Sequence, residues 1–362
     1  MRLPSTRYWI LFAILFVGAG GAYFWWPSAS ASQELLEARQ AVTIRDFPRA
    51  ITLLKSHLEK WPHDREGHLL LAQTARRADQ YALFEPHLRT YQQQEGDAEI
   101  VAIERILIGI QRGEFTTFDG GFQFCEKHPN HAEVPLIWEA MTRGYLKVRQ
   151  LRKAIEGATR WLATNPLPAD GSEALLWRGT CWKNSAALDL ARKDFQEAIE
   201  KNPRNLEAHF QLGEILTQRE PDEAMKHFRQ VLEVDPKRTD ARLGLARCHR
   251  NLSELDQADA ILEELSREES PTLLPVLIER GKLAMDRKTF PEAESFLRKA
   301  LLLNSQSLEG NRTLARSLQL QGKDSQAEEV RKKVTEIESE LTKKLQAMIA
   351  EGSILPPDEN KP

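Results

Sequence analysis

Apolar residues along most of this chain recur at spacings of three and four, as expected for helices that bury one face. The apolar stripes come in pairs, and the pairs recur with a period of about 34 residues, a length typical of solenoid arrays. The clearest unit is 172–205. It places Gly179 and Trp182 on a first helix, Ala191, Phe195 and Ala198 on a second, and Pro203 in the closing loop. Unit 206–238 follows with Leu212, Gly213, Ala224, Phe228 and Pro236, and is one residue shorter in its turn. Unit 239–273 carries Leu245, Ala246, Ala258, Leu262 and Leu265, and unit 274–307 carries Gly281, Ala284, Ala293, Leu297 and Ala300. Unit 308–341 keeps Leu314, Ala315, Leu318 and Ala327.

Toward the N-terminus the same phase persists with fewer landmarks. Unit 135–168 has Trp138, Tyr145, Ala154, Trp161 and Pro166, and unit 31–64 has Ala38, Ala50, Leu54 and Pro62. Unit 65–97 retains Leu71, Ala72 and Leu88, while unit 98–131 is marked mainly by Pro129. Nine units result. Within each, small residues stand where two helices cross closely and large apolar residues fill the gaps between them. Proline in the closing loop lacks a backbone N–H and stops the second helix. One helix pair cannot bury both of its faces, so stacked pairs must share a continuous core. Residues 342–351 read as the end of a polar capping helix and 352–362 as a disordered tail.

A different pattern occupies the start. Trp9 to Trp26 is an uncharged run of 18 residues, WILFAILFVGAGGAYFWW. As a helix it is about 27 Å long, close to the roughly 30 Å of a bilayer's hydrocarbon core. Aromatic residues stand at both ends of the run, as in interfacial belts. Arg2 and Arg7 precede it, and no Lys or Arg follows until Arg39. That asymmetry predicts a cytoplasmic N-terminus (1–8), a single span (9–26), a short linker (27–30) and an extracytoplasmic repeat region at the plasma or inner membrane. The rival reading is a cleaved signal peptide, with Ala29-Ser30-Ala31 as its cleavage site and a secreted or periplasmic product.

Composition narrows the function. Net charge is −3, which gives no global field toward nucleic acid. Cys125, Cys181 and Cys248 are widely spaced and form no disulfide framework. No phosphate-binding glycine loop, GxSxG or HExxH occurs, and anchor plus repeats leave no stretch long enough for a catalytic domain. Cys125, His128 and His131 fall one ligand short of a structural zinc site and sit in a closing loop. The expectation is a non-enzyme with no cofactor, no metal and no small-molecule substrate.

Residues 31–341 resemble tetratricopeptide repeat (TPR) proteins, on the Gly/Ala, aromatic and Pro positions quoted above. The resemblance implies an all-α, right-handed superhelical solenoid of about nine helix-turn-helix repeats, here preceded by one transmembrane helix. It also implies that the first helices line a concave groove used for binding protein or peptide partners.

Within a unit, positions 2, 5, 9 and 12 share one face of the first helix, and in the family this face lines the groove. Position 5 reads Leu176, Phe210, Leu243 and Ile278, then Arg312. Positions 9 and 12 add Arg247, Arg250, Lys282 and Arg316, with Asn251 at position 13. These residues suit an extended acidic and apolar peptide, read by an apolar ladder and flanking cations. The bland alternative is that position 5 packs into the core and the cations solvate the surface. The carboxylate clamp of chaperone-binding relatives needs Asn at position 9, where this chain has Thr180, Glu214, Arg247, Lys282 and Arg316. The sequence therefore predicts a membrane-anchored binding scaffold. The alternative is a non-catalytic accessory subunit of an envelope enzyme, secretion or assembly complex.

Overall fold

The computed structural model describes residues 33–268 and 273–350. The expected anchor Trp9–Trp26 and the tail 352–362 lie outside the described residues. Among those described, no helix is long and apolar enough to cross a membrane.

The described residues form eighteen α-helices and no strand. They follow one another as α1 (33–43), α2 (Phe47–Lys60), α3 (Arg65–Arg77), α4 (Tyr81–Gln93), α5 (Ala98–Arg112) and α6 (Phe115–Lys127). Next come α7 (Val134–Lys147), α8 (Leu151–Ala163), α9 (Pro168–Asn184), α10 (Leu188–Lys201), α11 (Leu206–Leu216) and α12 (Pro221–Val234). The last six are α13 (Thr239–Asn251), α14 (Leu255–Arg267), α15 (Leu273–Asp286), α16 (Phe290–Leu303), α17 (Leu308–Leu320) and α18 (Asp324–Ala350). The chain divides into two compact units, Met1–Ala140 and Met141–Pro362.

The turns inside the pairs are built alike. In eight of them one residue takes a left-handed conformation: Arg45, Asp79, Gly113, Arg149, Ala186, Ser253, Lys288 and Gly322. The next residue's N–H then reaches back to a carbonyl of the first helix, as in Asp46 to Ala41 at 2.8 Å, Ala187 to Trp182 at 2.9 Å and Thr289 to Ala284 at 2.8 Å. This is the Schellman closure, which satisfies carbonyls that a helix end leaves orphaned. Unit 206–238 is the exception. Its shorter turn closes with Glu220 N–H on the Leu216 carbonyl at 2.8 Å, without a left-handed residue.

In the second unit the core is set by how closely the helices approach. A Cβ added at Gly213 would come within 2.9 Å of the Phe228 ring, and one at Gly244 within 2.5 Å of the same ring. Phe228 on α12 is therefore clamped between α11 and α13, and it is fully buried. Gly179 stands in the same relation to Phe195, and Gly281 to Leu297, both at 2.7 Å. The core thus runs from pair to pair: Leu176, Phe195, Leu212, Phe228 and Cys248 belong to one cluster.

The first unit carries two buried charge clusters. Arg76 and Glu104 are both fully buried and paired at 2.7 Å, with Arg76 also donating to Gln111 at 2.9 Å. Arg45 and Arg77, from α1–α2 and α3, converge on buried Glu139 of α7 at 3.0 Å each. Removing one partner of such a set strands the others, which is costlier than the set's net contribution.

Two histidine pairs recur at matching places. His68 Nδ1 lies 2.8 Å from His87 Nδ1, and His209 Nδ1 lies 3.0 Å from His227 Nδ1. The Nε2 atoms of His68 and His209 face the carbonyls of Pro62 and Pro203, at 2.9 and 3.1 Å. A carbonyl only accepts, so those Nε2 atoms carry hydrogen, and in neutral rings Nδ1 is then the acceptor for the partner histidine. Burial pushes His87, His209 and His227 below the ordinary histidine value of 6.5. A lowered folded value favours the neutral ring, so stability is full above 6.5 and is lost as pH falls toward the folded values. Thermal denaturation from pH 7.5 to 5.5 should show a falling midpoint. The variant His209→Gln with His227→Phe should flatten part of that slope; an unchanged slope would contradict the assignment.

Candidate functional site

The second unit holds a cavity of about 600 Å³ lined by Glu214, Arg247, Arg250, Glu279, Lys282 and Glu309, among others. The named residues come from α11, α13, α15 and α17, the first helices of four successive pairs. The centre is Glu279, which is 2% exposed. Arg247 Nε donates to one of its carboxylate oxygens at 3.2 Å, Arg250 Nε to the other at 3.2 Å, and Lys282 Nζ to the first at 2.8 Å. Burial alone would raise the Glu279 carboxyl, but Lys282, Arg247 and Arg250 outweigh it and hold the group below its ordinary value.

The same cations reach outward to a second ring of acids. Arg247 pairs with Glu214 at 3.4 Å, Arg250 with Asp286 at 2.9 Å, and Lys282 with Glu309 at 2.5 Å. Three cations thus face four carboxylates. Asn251 is also engaged: its Nδ2 donates to the Thr217 carbonyl at 2.8 Å, closing the end of α11. Arg312 pairs with Glu338 of α18 at 2.6 Å. Arg316 is exposed and makes no ion pair among the described residues.

These placements correct the expected apolar ladder. Leu176, Leu243 and Ile278 are 4%, 3% and 3% exposed, so position 5 packs into the core and presents nothing to a ligand. Phe210 is partly buried, with the Arg238 guanidinium 4.5 Å above its ring. The cations Arg247, Arg250 and Lys282 do gather in one place, but around an internal carboxylate rather than facing an empty groove. Glu279 was missed because it stands at position 6, beside the face taken to line the groove. The available signal was the run of basic residues at position 9 of neighbouring units, which a buried acid between them would neutralise.

His128 and His131 both pack against Phe124, with ring centroids 5.0 and 5.1 Å away. Cys125 is buried, and among the described residues no group of three or more His, Cys, Asp or Glu side chains is arranged to hold a metal ion.

Family models of the tetratricopeptide repeat match residues 35–98 and 187–224 in one form and 216–271 in another. A search of curated proteins finds no match to this sequence. Among solved structures, the chain is similar to PilW, a type IV pilus biogenesis factor, at 20% identity and a TM-score of 0.47, over 60% of this chain and 96% of that one. It is also similar to a tetratricopeptide repeat protein from Parabacteroides merdae at 18% identity and a TM-score of 0.41, over 80% of this chain and 99% of that one. YrrB, a TPR protein described as having an unusual peptide-binding site, matches at 18% identity and a TM-score of 0.41, over 52% of this chain and 95% of that one. The chain carries tetratricopeptide repeats over the matched residues, and its described residues are all-helical.

Proposed function

We propose that this protein is a membrane-tethered scaffold that binds a partner protein through the charged cavity of its second unit. The observation that carries this reading is the Glu279 cluster. Three cations converge on one buried carboxylate, while two of their outer partners are exposed to solvent. Asp286 and Glu309 are 44% and 54% exposed in their side chains. Exposed ion pairs of this kind contribute roughly 0–1 kcal/mol, so exchanging one for a partner's carboxylate costs little. The inner contacts to Glu279 stay in place and keep Arg250 and Lys282 aimed at the cavity, which lowers the ordering cost of binding. The partner segment is therefore extended, polar and acidic rather than apolar.

Its partner is to be found by affinity capture from solubilised membranes and then titrated against variants whose fold is checked by circular dichroism. Lys282→Ala should weaken binding about tenfold, as the loss of one charge-assisted contact worth ~1.5 kcal/mol would. Glu309→Ala removes the competing carboxylate and should tighten binding severalfold. Two variants that bind like wild type would exclude the cavity as the binding surface.

The tether is proposed from the sequence: the length of the run Trp9–Trp26 and the bulky Trp25-Trp26-Pro27 that ends it favour an uncleaved span, and Arg2 and Arg7 ahead of it put the repeats outside the cytoplasm. A reporter active only outside the cytoplasm, fused after Pro362, should be active, with the full-length protein in the membrane fraction. Activity of a cytoplasm-only reporter would refute the orientation, and a mature N-terminus at Ser32 would refute the tether.

A further inference from the structure

The last helix differs from the rest. α18 spans 27 residues, whereas most of the others have 13 or 14. Its first half packs through Ala327 and Val330 on α17 and on the preceding α16, in one cluster with Leu314, Leu318 and Leu297. Ile337 is buried, and Glu338 pairs with Arg312 at 2.6 Å. Residues 339–347 are then exposed without interruption, including Leu341 and Leu345 at 48% each. At 1.5 Å per residue this uncovered stretch extends about 13 Å. Beyond it, Met348 and Ile349 become half-buried again, and the surface they meet is distant in sequence. They pack on a cluster of Leu151, Ala154 and Cys181, edged by Tyr145, Leu146 and Ile155.

That cluster belongs to α7, α8 and α9, at the opposite end of the second unit from α17. α18 therefore ties the last pair back to the start of the unit, with two side chains as its far anchor. A bare helical stretch held at its tip by two half-buried residues is the kind of element that opens locally at low cost. The patch beneath it is apolar and takes one turn of a helix carrying two adjacent large side chains.

We infer that the patch on α7–α9 is a helix-accepting site, that the end of α18 is its resident, displaceable occupant, and that it serves to receive a partner's amphipathic helix ending in adjacent large apolar residues. This goes beyond the proposed cavity function and does not depend on it, since the patch lies on other helices.

The test uses the full chain with Met348→Asp and Ile349→Asp combined, and a labelled peptide of the native sequence Glu338–Ala350 as probe. Both substituted side chains lie at the free end of α18, so the repeats should fold. Leu345→Asp, on the uncovered stretch, serves as control. Hydrogen exchange in 145–155 and 176–184 should rise at least tenfold in the double variant and stay at the wild-type level in the control, with α11–α16 unchanged in both. The peptide should bind the double variant at least tenfold more tightly than wild type, where the tip competes. Unchanged exchange, or equal binding to both chains, would overturn the inference. So would a concentration-dependent wild-type dimer lost in the double variant, which would make α18 a helix exchanged between copies.

Discussion

Phe228 has room only because Gly213 and Gly244 have no Cβ, and much of the second unit follows from that clearance. A ring clamped from both sides fixes the separation and rotation of α11, α12 and α13 together. Gly179 against Phe195 and Gly281 against Leu297 repeat one side of the arrangement within two other pairs. Because each large side chain is gripped by its own pair or by the next, packing passes from neighbour to neighbour without a central core. The Schellman turns complement it by closing eight of the nine pairs, and the one turn that lacks a left-handed residue belongs to the pair that holds the doubly clamped ring.

The same geometry decides what the surface can offer. Stacking sets the first helices of successive pairs side by side, so side chains about 30 residues apart in sequence become partners. Arg247 meets Glu279, Lys282 meets Glu309, and Arg250 meets Asp286 across those seams. A cation that reads as free along its own helix is thus answered by the next one. The cavity gathers charge without a positive excess, and selectivity would come from which outer pairs can be exchanged.

The helical character, the pairing and the phase of small and large residues were legible in the sequence, because they are local. Gly179 with Phe195 and Gly213 with Phe228 are separated by about half a repeat, the offset between the two helices of one pair, and their contacts lie where that offset puts them. Three features were not legible. The burial of Leu176, Leu243 and Ile278 depends on the neighbouring pair, which one helix's periodicity does not see. The burial of Glu279 leaves no mark in the sequence of its own helix, where nothing shows it covered. The docking of Met348 and Ile349 joins residues almost 200 positions apart, and Leu151 and Ala154 already had a sufficient role in their own pair. The span expected at Trp9–Trp26 lies outside the described residues and stays a proposal.

Stability passes between adjacent pairs through clamped side chains. Hydrogen exchange on Phe228→Ala tests it most directly. Truncating a buried Phe typically costs about 3–5 kcal/mol, and the loss of protection should fall on α11, α12 and α13, weaken in α10 and α14, and leave α3 and α4 at their wild-type level. A uniform loss across residues 33–350 would contradict the account and show a single cooperative globule instead.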